Sequence, residues 1–373
     1  MRRRYAFMFA LFLLFSPAFS SLAGARAIRD GMGRTVEIPD AVERVLCSGS
    51  GCLRLLVYLN AQDRAVGVDS AEKRTGPLAS LHSSKPYLAA HPELSGLPLF
   101  GEFRGMDNPE LILGLSRQPQ VIFKVFAPSA VQPDELQAKT GIPVVAFEYG
   151  NLSDQKETFF AALRLMADVL GVKERGESVV AFFEEQMKGI RSRTACVAPE
   201  KRRRCYVGGV AYKGPHGITS TEPGYPPFAL VGAENVASVP AGKGMGTATI
   251  AKEKLLEWDP AVFFIDLSTT TGGKEANALI ELGTDSSLAT IAAVRNGEIY
   301  GVLPYNSYSI NFGSILADAW FVGKILYPEL FADVDPVKKA DEIYSFLVGK
   351  PVFPMVNSGY GNQVFTKLSP QKD

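Results

Sequence analysis

Histidine is scarce: His82, His91 and His216 are the three in 373 residues, and none stands at ligand spacing from another. That argues against a zinc-type centre built on imidazoles. It also leaves Gly49-Ser50-Gly51, which lacks the full G-x-S-x-G pattern, without an evident base for nucleophilic catalysis. Charge of one sign is lacking too. Lys plus Arg number 39 and Asp plus Glu 39, so nothing favours a nucleic-acid partner or an acidic membrane surface. The stretch AGKGMGT (241–247) has a lysine among glycines, but Gly244 follows it where a phosphate loop needs Ser or Thr. No apolar run approaches the ~20 residues of a spanning helix. The longest, Tyr5 to Phe15, is about 11 residues and follows Arg2-Arg3-Arg4.

That beginning has the form of a secretory leader: a basic start, a short apolar run, then small residues through Ala25-Arg26-Ala27. Cleavage is expected near Ala27, releasing a periplasmic protein, since no cysteine follows the apolar run to carry a lipid. Cysteine is sparse as well: Cys47, Cys52, Cys196 and Cys205, with no C-x-x-C. In an exported chain four cysteines read as two disulfides. Of the three pairings, proximity favours Cys47–Cys52 and Cys196–Cys205. No metal site is expected.

What the chain does contain is alternation. Val45-Leu46, Ala65 to Val68, Leu97 to Phe100, Val121 to Val125 and Val144 to Phe147 read as strands, with helical patterns at Leu53–Leu59, Pro109–Leu115 and Asp134–Lys139 between them. Asn108 is placed to cap the helix that Pro109 begins. Helices over Ser153–Leu170 and about Lys173–Arg193 follow. Strands at Tyr206–Val210, Val262–Ile265 and Glu298–Val302 then alternate with helices at Glu253–Trp258 and Ile315–Leu326. NPELILGLSRQPQVIFKV (108–125) and AKEKLLEWDPAVFFID (251–266) share one order: Glu, paired aliphatics, Pro, apolar strand. The expectation is an α/β protein of two similar lobes with mostly parallel sheets. Its parts are a leader over 1–27, an N-terminal lobe over 28–152 and a helical segment over 153–198, whose 173–193 helix bridges the lobes. A C-terminal lobe over 199–335 and a helical extension and tail over 336–373 complete it.

In open α/β sheets ligands sit beyond the carboxyl ends of the strands. Those ends collect Ser48, Ser50, Arg104, Phe126 and Tyr149 in the first lobe, and Tyr212, His216, Thr269, Tyr305 and Tyr308 in the second. Hydroxyls, aromatics and one fixed cation suit an anionic ligand or a metal chelate.

The sequence resembles the helical-backbone class of periplasmic binding proteins, which serve ABC importers of ferric siderophores, haem, cobalamin and, in one branch, molybdate or tungstate. The resemblance runs through GRTVEIPDAVERVL (33–46), LLVYLNAQDRAVGVD (55–69), GMDNPELILGLSRQPQVIF (105–123), GGVAYKGPHGITSTEPGYPPFALVGAENVA (208–237) and ILYPELF (325–331). It implies two Rossmann-like lobes on one rigid helix, with the ligand cleft between them. It also implies that Glu110 and Glu253, one per lobe, dock on arginines of an inner-membrane permease driven by a cytoplasmic ATPase. Arg104, six positions before Glu110, matches the ligand-contacting arginine of hydroxamate-siderophore members. The function expected is a monomeric, non-enzymatic solute receptor without a cofactor, capturing an iron complex, siderophore type first and haem or corrinoid next. A molybdate or tungstate oxyanion held by Ser48, Ser50, Thr269 and Arg104 is the alternative within the class. A chelatase-like enzyme is the alternative outside it, and a receptor feeding a sensor a third.

Overall fold

Val45–Ser48, Val121–Val125 and Val144–Phe147 are buried throughout and almost wholly apolar, the pattern of strands covered on both faces. The computed structural model, which describes residues 24–73, 85–125, 130–239, 246–306 and 308–372, pairs them in that order as a parallel sheet. A single bridge from Val45 to Ala65 leads on to Val68–Asp69, which lies parallel to Leu99–Glu102. Leu99–Glu102 pairs in turn with Met106–Asp107, antiparallel. The strand expected from Ala65 shrinks to Val68–Asp69 because the chain changes partners along it: Ala65 makes a lone bridge to Val45, and pairing with Leu99 starts at Val68.

The second lobe repeats the scheme with four parallel strands, in the order Glu234–Asn235, Arg204–Gly208, Val262–Asp266, Ile299–Val302. The internal echo is structural. Pro109–Leu113 precedes the inner strand Val121–Val125, and Lys252–Trp258 precedes the inner strand Val262–Asp266. Asn108 caps the first of these helices, accepting from the N–H groups of Glu110 (2.9 Å) and Leu111 (3.1 Å).

Between the lobes, Lys156–Leu170 stops at Gly171 in the left-handed region, and Lys173–Thr194 follows. At 1.5 Å per residue the latter is about 33 Å long. Its buried stripe includes Val179, Phe183, Met187 and Ile190. Near its start Arg175 donates to the carbonyls of Tyr58 (2.8 Å) and Phe346 (2.6 Å), and further along Gln186 accepts from the Trp320 indole (2.8 Å). The helix is thereby fastened to both lobes.

The tail is more than an extension. From Pro336–Val348 it reaches the first lobe, where the His91 ring lies 3.0 Å from the Val348 carbonyl and Lys350 donates to Ala90. It then returns to the second lobe, where Lys367 bridges to Tyr300 at the sheet edge.

The chain's beginning corrects one boundary. Ala25–Arg29 is a strand paired with Thr35–Pro39, and Arg26 is ion-paired with Asp168 at 3.0 Å. A lobe starting after Ala27 would lose three of those five paired residues, so Ala25 to Ala27 belong to the fold. Among the described residues no helix is long and apolar enough to cross a membrane.

Candidate functional site

The loop from Cys47 to Cys52 joins the end of strand Val45–Ser48 to the helix Cys52–Tyr58, against Val125 and the Tyr149 ring. Gly49 (φ 87°) and Gly51 (φ 84°) are left-handed. A Cβ on Gly49 would come within 2.9 Å of the Val125 carbonyl, and one on Gly51 within 2.4 Å of the Tyr149 ring. Only glycine allows the loop to lie that close. Ser50 is half-buried between them, and neither serine caps the following helix, whose N-cap is Gly51.

The expected disulfides are absent: all four cysteines are free thiols. Cys205 lies inside a strand, its thiol 3.5 Å from the Glu234 carbonyl, whereas Cys196 is exposed beyond the bridging helix. Cys47 and Cys52 are buried side by side, and burial first, then the Cys47 thiol, pushes the Cys52 pKa up.

The lobes meet through polar contacts that sequence reasoning missed. Arg54 is buried in the helix Cys52–Tyr58. It donates to the Tyr149 hydroxyl (2.6 Å), to the Ile310 carbonyl (2.7 Å) and to the Tyr308 carbonyl (3.3 Å), with the Tyr87 ring 5.0 Å away. Burial alone would lower its pKa; the Tyr149, Tyr87 and Tyr58 phenols outweigh that and raise it. Tyr308 crosses from the second lobe, donating its hydroxyl to Asp69 and accepting from the Arg104 N–H at 3.1 Å. Lys85 lies 5.0 Å from the Tyr308 ring and 3.3 Å from Glu72, whose carboxylate also accepts from Tyr87. Burial first, then Glu72, raises Asp69 to about 7. Tyr308 (φ 47°) and Ser309 (φ 68°) are both left-handed, each at a cost of about 1–2 kcal/mol. The Arg54 and Asp69 bonds hold them there.

Arg104 stands where Tyr308 touches the first lobe. Its backbone is left-handed (φ 61°), its guanidinium lies 5.0 Å from the Phe103 ring, and it is exposed, with no ion-pair partner among the described residues. Tyr212 is 57% exposed, and its carbonyl lies 2.7 Å from the His216 ring. Asn306 ties that loop to the Tyr308 segment through the Ala211 carbonyl at 2.8 Å.

Three expected ligand contacts are structural instead. Ser48 is fully buried, its hydroxyl 3.1 Å from the Lys124 ammonium. The Thr269 hydroxyl faces the His216 and Ala276 carbonyls and the Ala278 N–H, pinning one loop to the next. Tyr305 turns into the second lobe and donates to Glu222, held at about 7 by burial, beside Asp266, held at about 6 also by burial. Tyr149 lies at the lobe interface under Gly51, and Phe126 lies outside the described residues. No group of His, Cys, Asp and Glu able to hold a metal occurs among the described residues.

Residues 84–304 match the family described as periplasmic binding protein, more than half of the chain. The chain belongs to the periplasmic binding protein family. Its helical bridge and two parallel-sheeted lobes are those of the helical-backbone type. The molybdate-binding protein MolA of Haemophilus influenzae is 28% identical to this binding protein over 354 residues, covering 89% of this chain and 93% of the relative. The structure of MolA bound to molybdate superposes with a TM-score of 0.65 at 23% identity, covering 87% of this chain and 98% of MolA. A periplasmic solute-binding protein of Veillonella parvula gives 0.70 at 15% identity over 92% of this chain and 98% of its own. A TroA-like periplasmic binding protein, FepB, of the same organism gives 0.64 at 20%, over 87% and 96%. This binding protein is therefore a solute receptor of an ABC transporter rather than an enzyme, and it acts in the periplasm.

Proposed function

We propose that the binding protein captures a small tetrahedral oxyanion, molybdate or tungstate, and delivers it to its permease. The observation that carries this reading is Arg104: an exposed guanidinium without an ion-pair partner among the described residues, on a left-handed backbone whose N–H donates to Tyr308 where that residue closes on the first lobe. Ser50 and the glycine amides around it supply neutral donors, and a fixed cation with neutral donors suits a compact anion. The cleft is bridged at hydrogen-bond distance by Tyr308 and Arg54, which favours a small ligand over a bulky one. The likeness to MolA, at 28% identity, supports the same reading.

A ferric chelate, siderophore type, is the second reading. The exposed Tyr212 ring beside His216 favours it, as an aromatic rim suits an apolar chelate shell.

Dialysis against equimolar molybdate, tungstate, sulfate and a ferric hydroxamate, followed by desalting and elemental analysis, separates the two. Retention of molybdenum or tungsten in stoichiometric amount is expected. Retention of iron with neither of them would overturn the oxyanion reading.

A further inference from the structure

We propose that Lys124 is the positioning residue that sets the two described ligand-facing loops of the first lobe against each other, touching no ligand itself. The inference rests on the reading that those loops, carrying Ser50 and Arg104, face the ligand.

Lys124 lies on the inner strand Val121–Val125 and has no exposed surface. In sheet register it stands opposite Ser48, so the two side chains share a face. An ammonium has three N–H donors, and here three partners meet it. They are the Ser48 hydroxyl at 3.1 Å, the Gly105 carbonyl at 3.0 Å and the Asp107 carboxylate. Ser48 opens the loop that carries Ser50; Gly105 directly follows Arg104. One buried cation therefore ties the base of each loop to the sheet. The approach is close on the Gly105 side, where a Cβ would lie 3.2 Å from the Lys124 ammonium and 3.0 Å from Ala130.

An ion pair out of water is a poor source of stability, because desolvation offsets the attraction, and an apolar pair of similar volume does as well or better. The neighbouring cluster of Leu46, Ile122, Phe100 and Ile112 would accept such a pair. What an apolar pair would not do is hold a hydroxyl, a carbonyl and a carboxylate at hydrogen-bond distance together. The second Asp107 oxygen has no partner among the described residues, so the pairing is not optimised for energy either. The arrangement specifies geometry.

The test replaces both charges at once, Lys124→Met with Asp107→Leu, since removing Lys124 alone strands a buried carboxylate. Hydrogen exchange, thermal midpoint and calorimetric binding of molybdate are read on the same protein. The midpoint is expected to stay within a few degrees, while amides of residues 48–51 and 103–107 exchange ~10-fold faster and those of Val262–Asp266 are unchanged. Molybdate affinity is expected to fall ~10-fold. Unchanged exchange in both loops would overturn the proposal, whatever the wild type binds. Absence of molybdate binding by the wild type would instead overturn the oxyanion reading and leave the exchange result to decide the role of Lys124. Should the double variant not fold, Ser48→Ala removes one leg without burying a charge. Faster exchange confined to residues 48–51 is then expected, and no change there would overturn the proposal.

Discussion

The Tyr308 hydroxyl, carried by the second lobe, donates to the Asp69 carboxylate of the first. Together with the bonds from Arg54 to the Tyr308 and Ile310 carbonyls, this joins the lobes at the cleft itself, in addition to the bridging helix and the returning tail. Any opening of the cleft has to break these contacts, so the lobes are expected to move little on binding.

Asp69 makes stability depend on pH in a defined direction. Burial and Glu72 raise it to about 7, and burial raises Glu222 to about 7 and Asp266 to about 6. A carboxyl with a raised folded pKa favours the fold while it is protonated, and that contribution is lost as pH rises from the unfolded value near ~4 through the folded one. Lys85, Tyr87, Tyr308 and the Cys52 thiol also face Asp69, but with Glu72 they leave the net shift upward. Asp285 beside Lys252 and Asp333 beside Arg193, both held at about 2, act only in the more acid range. The thermal midpoint is thus expected to be higher at pH 5 than at pH 8, and Glu222→Gln is expected to shrink the difference. A midpoint rising across that range would contradict the assignment.

Arg54→Met should be among the most damaging single changes outside the apolar core. It removes bonds to Tyr149, Ile310 and Tyr308 at a buried position, and breaking such an array costs about 3–5 kcal/mol. Denaturant unfolding measures this; a loss within ~0.5 kcal/mol, the range of an ordinary surface change, would show that the lobes are held by packing alone.

Much of the architecture was legible because it rests on periodicity. The buried strands, the paired helices 156–170 and 173–194 and the Asn108 cap are local patterns. The charged interior was not. Lys124 sits in VIFKV and Arg54 in CLRLLVY, stretches that read as plain apolar strand and helix. Their partners Asp107, Gly105, Tyr149 and Ile310 are distant in sequence, and nothing local announces them. The rule that strand ends line the cleft placed Tyr305 and Tyr308 together. Yet three residues apart they separate, one to Glu222 in the lobe interior and the other across to Asp69. The cysteines misled for a related reason: nearness in sequence does not bring Cys196 to the buried Cys205.

The first strand makes a prediction about processing. A chain beginning at Ile28 lacks three paired residues and the Arg26–Asp168 ion pair, whereas one beginning at Gly24 keeps both. The shorter form is expected to melt several degrees lower, as a loss of about 1–2 kcal/mol implies. N-terminal sequencing of the exported protein is expected to find a start upstream of Ala25. Equal melting of the two forms would contradict this.

Glu110 and Glu253 are exposed in the first turns of their helices and make no ion pair among the described residues. If each registers one lobe on the permease, Glu110→Arg and Glu253→Arg should each lower ligand-stimulated ATPase activity in proteoliposomes ~10-fold while leaving ligand affinity unchanged. Full stimulation by the double variant would remove both from the docking surface.

Calorimetric titration of molybdate into the wild type and into Arg104→Ala tests the central claim most directly. One-to-one binding by the wild type, weakened at least ~10-fold by removal of the guanidinium, is the expected result. Binding that is absent in the wild type, or equally tight without Arg104, would contradict the account of the cleft.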